Sequence, residues 1–176
     1  MSTEAIPANA VEDFHAVMGQ LDWPMHLVTA VSRDGERNGC LLGFATQCAI
    51  HPPRYFVFLS KNNHTFDVAE QAEALGVHFP DPGQIDLAIR FGTRTGDEVD
   101  KLASETWHDG PLGVPILDEV TRWFVGRILD RLEVGDHMGY LLEPVAASSA
   151  GHPRGQLGFQ SVKHLDAGHD ADPDED

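Results

Sequence analysis

The feature that most constrains the fold is a short apolar run that follows a double proline. Pro52 and Pro53 cannot donate to a sheet ladder, so any strand before them must end there. The next run, residues 55–59, is aromatic and β-branched, which is typical of a strand buried on both faces. A polar stretch, residues 60–65, follows directly. The chain is therefore expected to form a sheet with a buried strand that ends in hydroxyl, amide and cationic side chains.

These polar residues suggest a binding site. A helical pattern begins within the 60–65 stretch, and free N–H groups at a helix start favour an anion. Thr46, Gln47 and Cys48 lie in the apolar run before the prolines, where their polar atoms could face a planar ligand. Two alternatives stay open. Asn63 and Thr65 favour helix caps with or without a ligand, and Cys48 fits a small buried hydrophobe equally well.

Composition bounds the class of protein. The chain has 176 residues, enough for one domain, with 12 Lys and Arg against 28 Asp and Glu, a net charge of −16. This charge argues against binding nucleic acid or an anionic membrane. Only two cysteines and no apolar run of membrane-spanning length predict a cytoplasmic protein. We expect one domain over residues 1–165 and a flexible acidic tail over 166–176.

The first half of the chain reads as alternating strands and helices. Val11, Phe14, Val17 and Met18 recur at helical spacing and predict a helix that lies over one face of the body. An Asp-Gly pair at residues 34–35 predicts a hairpin turn. The remaining predictions are strands over residues 25–32, 40–50, 55–60 and 77–79, and a helix over residues 65–75.

The second half is less regular. We predict a helix over residues 84–91, a short acidic helix over 97–102, and a loop over 107–115 that forms a wall or lid. Residues 121–134 fit a helix nearly as well as a strand, but the break at residues 135–137 favours a long hairpin. Together these elements predict a mainly β protein, a Greek-key split β-barrel of six or seven strands with peripheral helices.

Several short segments occur in an order that is more specific than any one of them. They include Asn-Gly at 38–39, Phe-Ala-Thr-Gln-Cys-Ala-Ile-His-Pro-Pro at 44–53, Ser-Lys-Asn-Asn-His-Thr at 60–65, the segment 84–91, Asp-Lys at 100–101, Gly-Val-Pro at 113–115 and Gly-Asp-His at 135–137. With these segments the chain resembles the flavin reductase-like family, the FMN-binding split barrels, over roughly residues 24–145. The resemblance implies a homodimer with FMN near its interface.

The resemblance also implies roles for individual residues. The catalytic position is His137, beside the flavin where the nicotinamide enters. The ring of the flavin would be lined by Thr46, Gln47, Cys48 and Ala49. Its phosphate would be held by Ser60, Lys61, Asn63, His64 and Thr65. Phe91 and Trp107 would shape the pocket walls.

Two positions depart from the family pattern. Ala49 stands where many relatives carry Ser, and His64 stands where close relatives place Arg. Arginine binds phosphate bidentately and is always charged, whereas histidine is only partly protonated at neutral pH. These departures imply weaker phosphate binding and a flavin that exchanges.

The function implied is an NAD(P)H-dependent flavin reductase that passes hydride from NADH or NADPH to FMN, with FAD open as a second flavin. Reduced flavin could serve a separate monooxygenase component. No metal-ligand spacing and no Rossmann fingerprint is present in the sequence. Two alternatives stay open: a non-catalytic flavin- or ligand-binding protein of the same fold, and a dimeric barrel with no ligand.

Overall fold

A computed structural model describes residues 7–93, 99–151 and 155–165. These residues contain nine strands and three α-helices. The strands are β1 (His26–Ser32), β2 (Arg37–Leu42), β3 (Ala45–Ala49), β4 (Arg54–Ser60), β5 (Ala72–His78), β6 (Trp107–Asp109), β7 (Pro115–Leu117), β8 (Arg122–Val134) and β9 (His137–Ser149). The helices are α1 (Ala8–Met18), α2 (His64–Glu70) and α3 (Ile85–Thr93), with short 3₁₀ turns at Pro82–Gln84, Pro111–Gly113 and Phe159–Ser161.

Seven strands form one antiparallel sheet in the order β2-β1-β5-β8-β9-β4-β3. Between β4 and β5 the chain passes through α2 and across the positions of β8 and β9, the long return of a Greek key. Buried residues from β1, β2, β4, β5, β8 and β9 share one core cluster, so the sheet curls around a single interior. The prediction of a mainly β, Greek-key split barrel is confirmed.

The two edge strands of this sheet are consecutive in the chain. Strands β2 and β3 are joined only by Gly43 and Phe44, yet they lie at opposite ends of the strand order. The prediction of one strand over residues 40–50 is therefore wrong. The segment breaks where Gly43 packs so closely on Trp23 that an added Cβ would lie 2.7 Å from Trp23 Nε1. The split of the barrel lies at this connection.

The predicted helix over residues 65–75 is also wrong in its second half. Helix α2 ends at Glu70, and Leu75 pairs in the sheet with Ala30 on one side and Gly126 on the other. The guanidinium of Arg131 donates to the carbonyl oxygens of Ala69, Glu70 and Ala72 at 3.1–3.4 Å. Sheet pairing on both sides outweighs the helical propensity of this Ala- and Glu-rich segment.

Other predictions have mixed outcomes. The helix near residues 84–91 and the long hairpin of β8 and β9 are confirmed. The predicted loop over residues 107–115 instead contributes β6 and the start of β7, which pair with each other. In the predicted acidic helix over 97–102, residues 97–98 lie outside the described residues and 99–102 are not helical. The tail over 166–176 also lies outside the described residues. No helix in the described ranges is long and apolar enough to cross a membrane.

The first helix is present, but its apolar stripe faces outward. Val11, Phe14 and Val17 are 41%, 59% and 53% exposed. The turn after the helix is tied to the C-terminal segment, because the Gln160 side-chain amide donates to the carbonyl oxygens of Gly19 and Leu21. The predicted helix is therefore confirmed, and its His15 and Met18 face the body, but Val11, Phe14 and Val17 do not pack against it.

Two fully buried histidines are built into the barrel. His78 Nδ1 donates to the Leu27 carbonyl at 3.1 Å, and its Nε2 accepts the Leu117 N–H at 3.1 Å. His26 Nε2 lies 2.8 Å from the Tyr55 hydroxyl. Burial lowers the pKa of each imidazole from 6.5 to about 4. His78 must be neutral in the fold, because Nε2 needs its lone pair to accept the Leu117 N–H.

We predict that acid destabilises the protein between pH 6.5 and 4. In this window the unfolded chain binds protons on His26 and His78 that the folded chain does not, so the free energy of unfolding falls as pH falls. The loss is about 3 kcal/mol for each histidine across the window. Urea unfolding at several pH values measures it. His78→Gln should be less stable at pH 7 but lose about half as much stability on acidification.

The matched control is His164→Asn, since His164 is exposed and this variant should reproduce the pH profile of the unsubstituted protein. An unchanged acid profile in His78→Gln would contradict the assignment of the proton uptake to His78.

Candidate functional site

Two adjoining cavities open at the split of the barrel, with volumes of about 430 and 500 Å³. Both sizes lie within the range of roughly 300–1,000 Å³ that is usual for small-molecule sites. The residues that line both cavities come from α1, the segment before β1, the β2–β3 connection, β4 and β9. They are Met18, Trp23, Gly43, Phe44, Phe58 and His137. The two cavities therefore form one cleft.

Aromatic rings form the walls of the cleft. Trp23 stacks on Phe159 with ring centroids 4.8 Å apart, and its other neighbour, Phe44, is at 6.3 Å. Phe44 is 54% exposed and lies 5.3 Å from the ring of His137. Exposed flat rings at a cavity mouth offer stacking surfaces to a planar ligand.

One end of the cleft is polar. Ser60, Asn63 and His137 line the first cavity, and Ser60 pairs with His137 across β4 and β9. His137 Nδ1 donates to Asp136 Oδ1 at 2.8 Å, which leaves Nε2 as the ring nitrogen available to a ligand. The hydrogen bond from His137 lowers the pKa of Asp136, so this carboxylate stays ionised and holds the ring.

The start of α2 is already capped from within the protein. Asn63 Oδ1 accepts the Thr65 N–H at 3.0 Å. The Thr65 hydroxyl is fully buried and donates to Asn38 Oδ1 at 3.2 Å. Asn63 thus has a capping role that the sequence left open, and it lines the cleft as well. Thr65 belongs to the interior and does not line either cavity.

Lys61 and His64 flank Asn63, and each contacts a carboxylate. Lys61 Nζ lies 2.5 Å from Glu133 Oε1, and His64 Nε2 lies 2.6 Å from Glu36 Oε1. Neither side chain lines the cleft. The cationic part of the predicted phosphate site is therefore adjacent to the cleft and engaged with acidic residues.

The predicted ring-binding residues lie along the edge strand β3. Thr46, Gln47 and Cys48 are exposed, and Ala49 is half-buried. Thr46 lines the second cavity, whereas the Gln47 side-chain amide donates to the Ala49 carbonyl at 3.1 Å. The structure thus brings Thr46 to the cleft and leaves Gln47 and Cys48 on the outer edge of the sheet.

The two predicted wall residues lie elsewhere. Phe91 is 1% exposed and packs in a core cluster with Leu27, Leu87 and Leu117, because α3 turns its apolar face inward. Trp107 lies in a separate polar cavity, where the Arg37 guanidinium is 5.3 Å from its ring. Neither residue lines the cleft.

Sequence reasoning missed most of the aromatic wall. Phe44 lies in the segment 44–53, which carries part of the family resemblance. Its position directly after Gly43 was the sequence signal that could have identified it as a wall residue. Trp23 and Phe159 are 136 positions apart in the sequence and meet only because the segment around Phe159 returns to Trp23, whose carbonyl accepts the Phe159 N–H. His15 and Met18 reach the cleft from α1. No local pattern marks these residues as parts of a binding site.

Comparison with known proteins gives a consistent result. A family model described as "Flavin reductase like domain" matches residues 18–164. The chain is 28% identical over 164 residues to FMN reductase (NADH) RutF of Ancylobacter novellus, covering 92% of this chain and 88% of that protein. It is 26% identical over 125 residues to stachydrine N-demethylase reductase subunit Stc3 of Rhizobium meliloti, covering 71% of this chain. The chain spans only 53% of the length of Stc3.

The fold has the same kind of neighbours. The solved structure of nitrilotriacetate monooxygenase component B from Mycobacterium thermoresistibile superposes with a TM-score of 0.73 at 22% identity. The match covers 94% of this chain and 96% of that one. It supports the shared fold over nearly the whole chain.

We predict that Gly43→Ala disturbs the cleft wall. The new Cβ would lie 2.7 Å from Trp23 Nε1 and 3.2 Å from Met25 Sδ, so the indole must shift. Overpacking of this kind costs about 1–3 kcal/mol. Urea unfolding and the tryptophan emission spectrum measure both effects. In the control, Gly92→Ala, the three atoms nearest the new Cβ all belong to the Leu41 side chain, and the one tight contact, 3.0 Å, is with its terminal Cδ2, so stability should change by less than about 1 kcal/mol. Unchanged emission and stability in Gly43→Ala would contradict this account of Trp23.

Proposed function

Because the chain belongs to the flavin reductase-like family, whose model matches residues 18–164, we propose that it is an NAD(P)H-dependent flavin reductase. The observation that carries the proposal is the cleft at the split of the barrel, with aromatic walls at Trp23 and Phe44 and a polar end at Ser60, Asn63 and His137. FMN is the proposed flavin, with FAD as the second flavin to test, and NADH or NADPH is the hydride donor. Relatives named FMN reductase (NADH) support NADH.

The residues of the cleft fit a flavin. The isoalloxazine ring is planar and apolar over much of its area, which suits the exposed face of Phe44 and the indole of Trp23. The ribityl chain and phosphate need hydrogen-bond partners, which Ser60 and Asn63 can supply. We propose that Thr46 contacts the ring from β3. Lys61 then lies next to the phosphate end.

Bound flavin supplies the hydride-accepting chemistry that amino-acid side chains lack. The protein has to bind the ring, exclude water and orient the two reactants. Trp23, Phe44 and Phe58 give the cleft an apolar lining. The hydrogen bond from His137 Nδ1 to Asp136 restricts the imidazole and leaves Nε2 as the nitrogen that a ligand could contact. We propose that His137 positions the nicotinamide.

We further propose a setting and assembly for this activity. A homodimer is supported by exposed apolar side chains near the edge strand and the hairpin, at Phe44, Ile50 and Leu132; light scattering measures its mass. The names of Stc3, a demethylase reductase subunit, and of nitrilotriacetate monooxygenase component B support a separate monooxygenase component that receives reduced flavin. Both cysteines are free thiols, which supports the cytoplasm. We propose that residues 1–165 act as one domain.

We predict that FMN binds saturably to the purified protein and that NADH or NADPH then bleaches the bound flavin without oxygen. Titration in the visible spectrum measures binding. FMN at one hundred times its Kd should stabilise the fold by about 2.7 kcal/mol. A protein that binds FMN but never bleaches with either nucleotide would favour the non-catalytic flavin-binding alternative. A protein whose melting temperature FMN leaves unchanged would contradict both.

We predict that His137→Gln separates catalysis from binding. If His137 positions the nicotinamide, its loss should slow flavin reduction by roughly 10- to 100-fold, because small misplacements of reactants are costly. The Kd for FMN should change by less than about threefold. Stopped-flow reduction and FMN titration measure the two quantities. His164→Gln serves as the matched control, since His164 is exposed and outside the cleft. Equal loss of binding and rate would assign His137 to flavin binding instead.

A further inference from the structure

Lys61 forms an ion pair with an acidic residue of the β8–β9 hairpin. Its Nζ lies 2.5 Å from Oε1 of Glu133, near the end of β8. The Lys61 backbone N–H donates to the Asp136 carbonyl at 2.9 Å, so backbone and side chain are both tied to the tip of the hairpin. The Glu133 side chain is 72% exposed, and that of Lys61 is 30% exposed. The pair is accessible to solvent, and the chain neighbours Ser60 and Val134 line the cleft.

The pair matters because the cleft has little positive charge. None of the described side chains that line the two cavities is Lys or Arg. Lys61 directly follows Ser60, at the polar end of the cleft. The other basic side chain of the 60–65 stretch, His64, contacts Glu36. An anion that enters at Ser60 and Asn63 therefore finds Lys61 next to it but already engaged.

We propose that Glu133 is an internal competitor for the anionic end of the flavin. In the flavin-free protein it holds the Lys61 ammonium, and the phosphate of FMN displaces it. This inference rests on the proposed function, since it needs a flavin in the cleft. Exposed ion pairs are weak enough to be exchanged by a ligand. Glu133 thereby lowers the affinity for phosphorylated flavin, as suits a protein that releases its flavin.

The experiment compares FMN with riboflavin, which has the same ring but no phosphate. Dissociation constants for both are measured in the unsubstituted protein, Glu133→Gln, Lys61→Met and the double variant. Glu133→Gln should bind FMN about two- to fivefold more tightly, the range expected for releasing an exposed ion pair. Riboflavin affinity should not change. In the Lys61→Met background, Glu133→Gln should no longer affect FMN.

A matched control removes an equal charge elsewhere. Glu143 pairs with Arg54 at 3.1 Å and lies five positions along β9 from Met138, the partner of Glu133. That separation is roughly 17 Å along the strand. Glu143→Gln should leave both dissociation constants unchanged. A similar gain in FMN affinity would mean that net charge, and not competition for Lys61, sets the affinity.

Three further outcomes would overturn the inference. The first is unchanged FMN affinity in Glu133→Gln. The second is equal tightening of FMN and riboflavin, which would indicate a change in the ring site. The third is the same gain in the Lys61→Met background, which would indicate direct repulsion of the phosphate by Glu133. If the unsubstituted protein binds neither flavin, the proposed function fails as well, so the two failures are distinguishable.

Discussion

The structure depends on one constraint of connectivity. Seven antiparallel strands roll around a single core, and the strands at the two edges are joined only by Gly43 and Phe44. A two-residue link forces the two edges to approach each other, but they do not pair. An unpaired seam in a β-sheet exposes backbone and side chains that a closed barrel would bury. In this protein Trp23, Phe44 and the end of β4 lie along that unpaired seam, and the space between them is the cleft.

Local sequence signals predict elements well where local interactions decide the structure. The strand β4, the Asp-Gly turn after β1 and the β8–β9 hairpin are present as predicted. The expectation that β4 is buried on both faces is wrong, because Val57 and Leu59 are buried whereas Phe56 and Phe58 on the other face are only half-buried, and Phe58 lines the cleft. The segment Ala72–His78 shows the limit. Its Ala and Glu residues favour a helix, but β1 and β8 pair with it on both sides, and Arg131 binds the carbonyls where α2 ends. Partners this distant in sequence cannot be inferred from a local pattern.

The candidate site also combines residues that local sequence could identify with residues whose role depends on distant partners. Ser60 and His137 lie in recognised segments, and the pairing of β4 with β9 brings them together in the cleft. Other recognised residues serve the fold instead. Thr65 bonds to Asn38, and Lys101 is buried with its ammonium donating to the carbonyls of Gly39 and Phe91. A segment can thus mark a family because it holds the scaffold in place, and only geometry separates such residues from those that face a ligand.

The long hairpin explains how one element can serve both the core and the site. Near the start of β8, Phe124 and Val125 are buried, whereas the last six residues of the strand are exposed. The buried part anchors the hairpin through β5. The exposed part and the turn that follows it place Asp136 and His137 at the cleft and Glu133 beside Lys61. Substitutions at the tip remove little buried apolar area, so their cost to the fold should be small. The polarity and charge of the cleft can therefore change with little effect on the barrel that supports it.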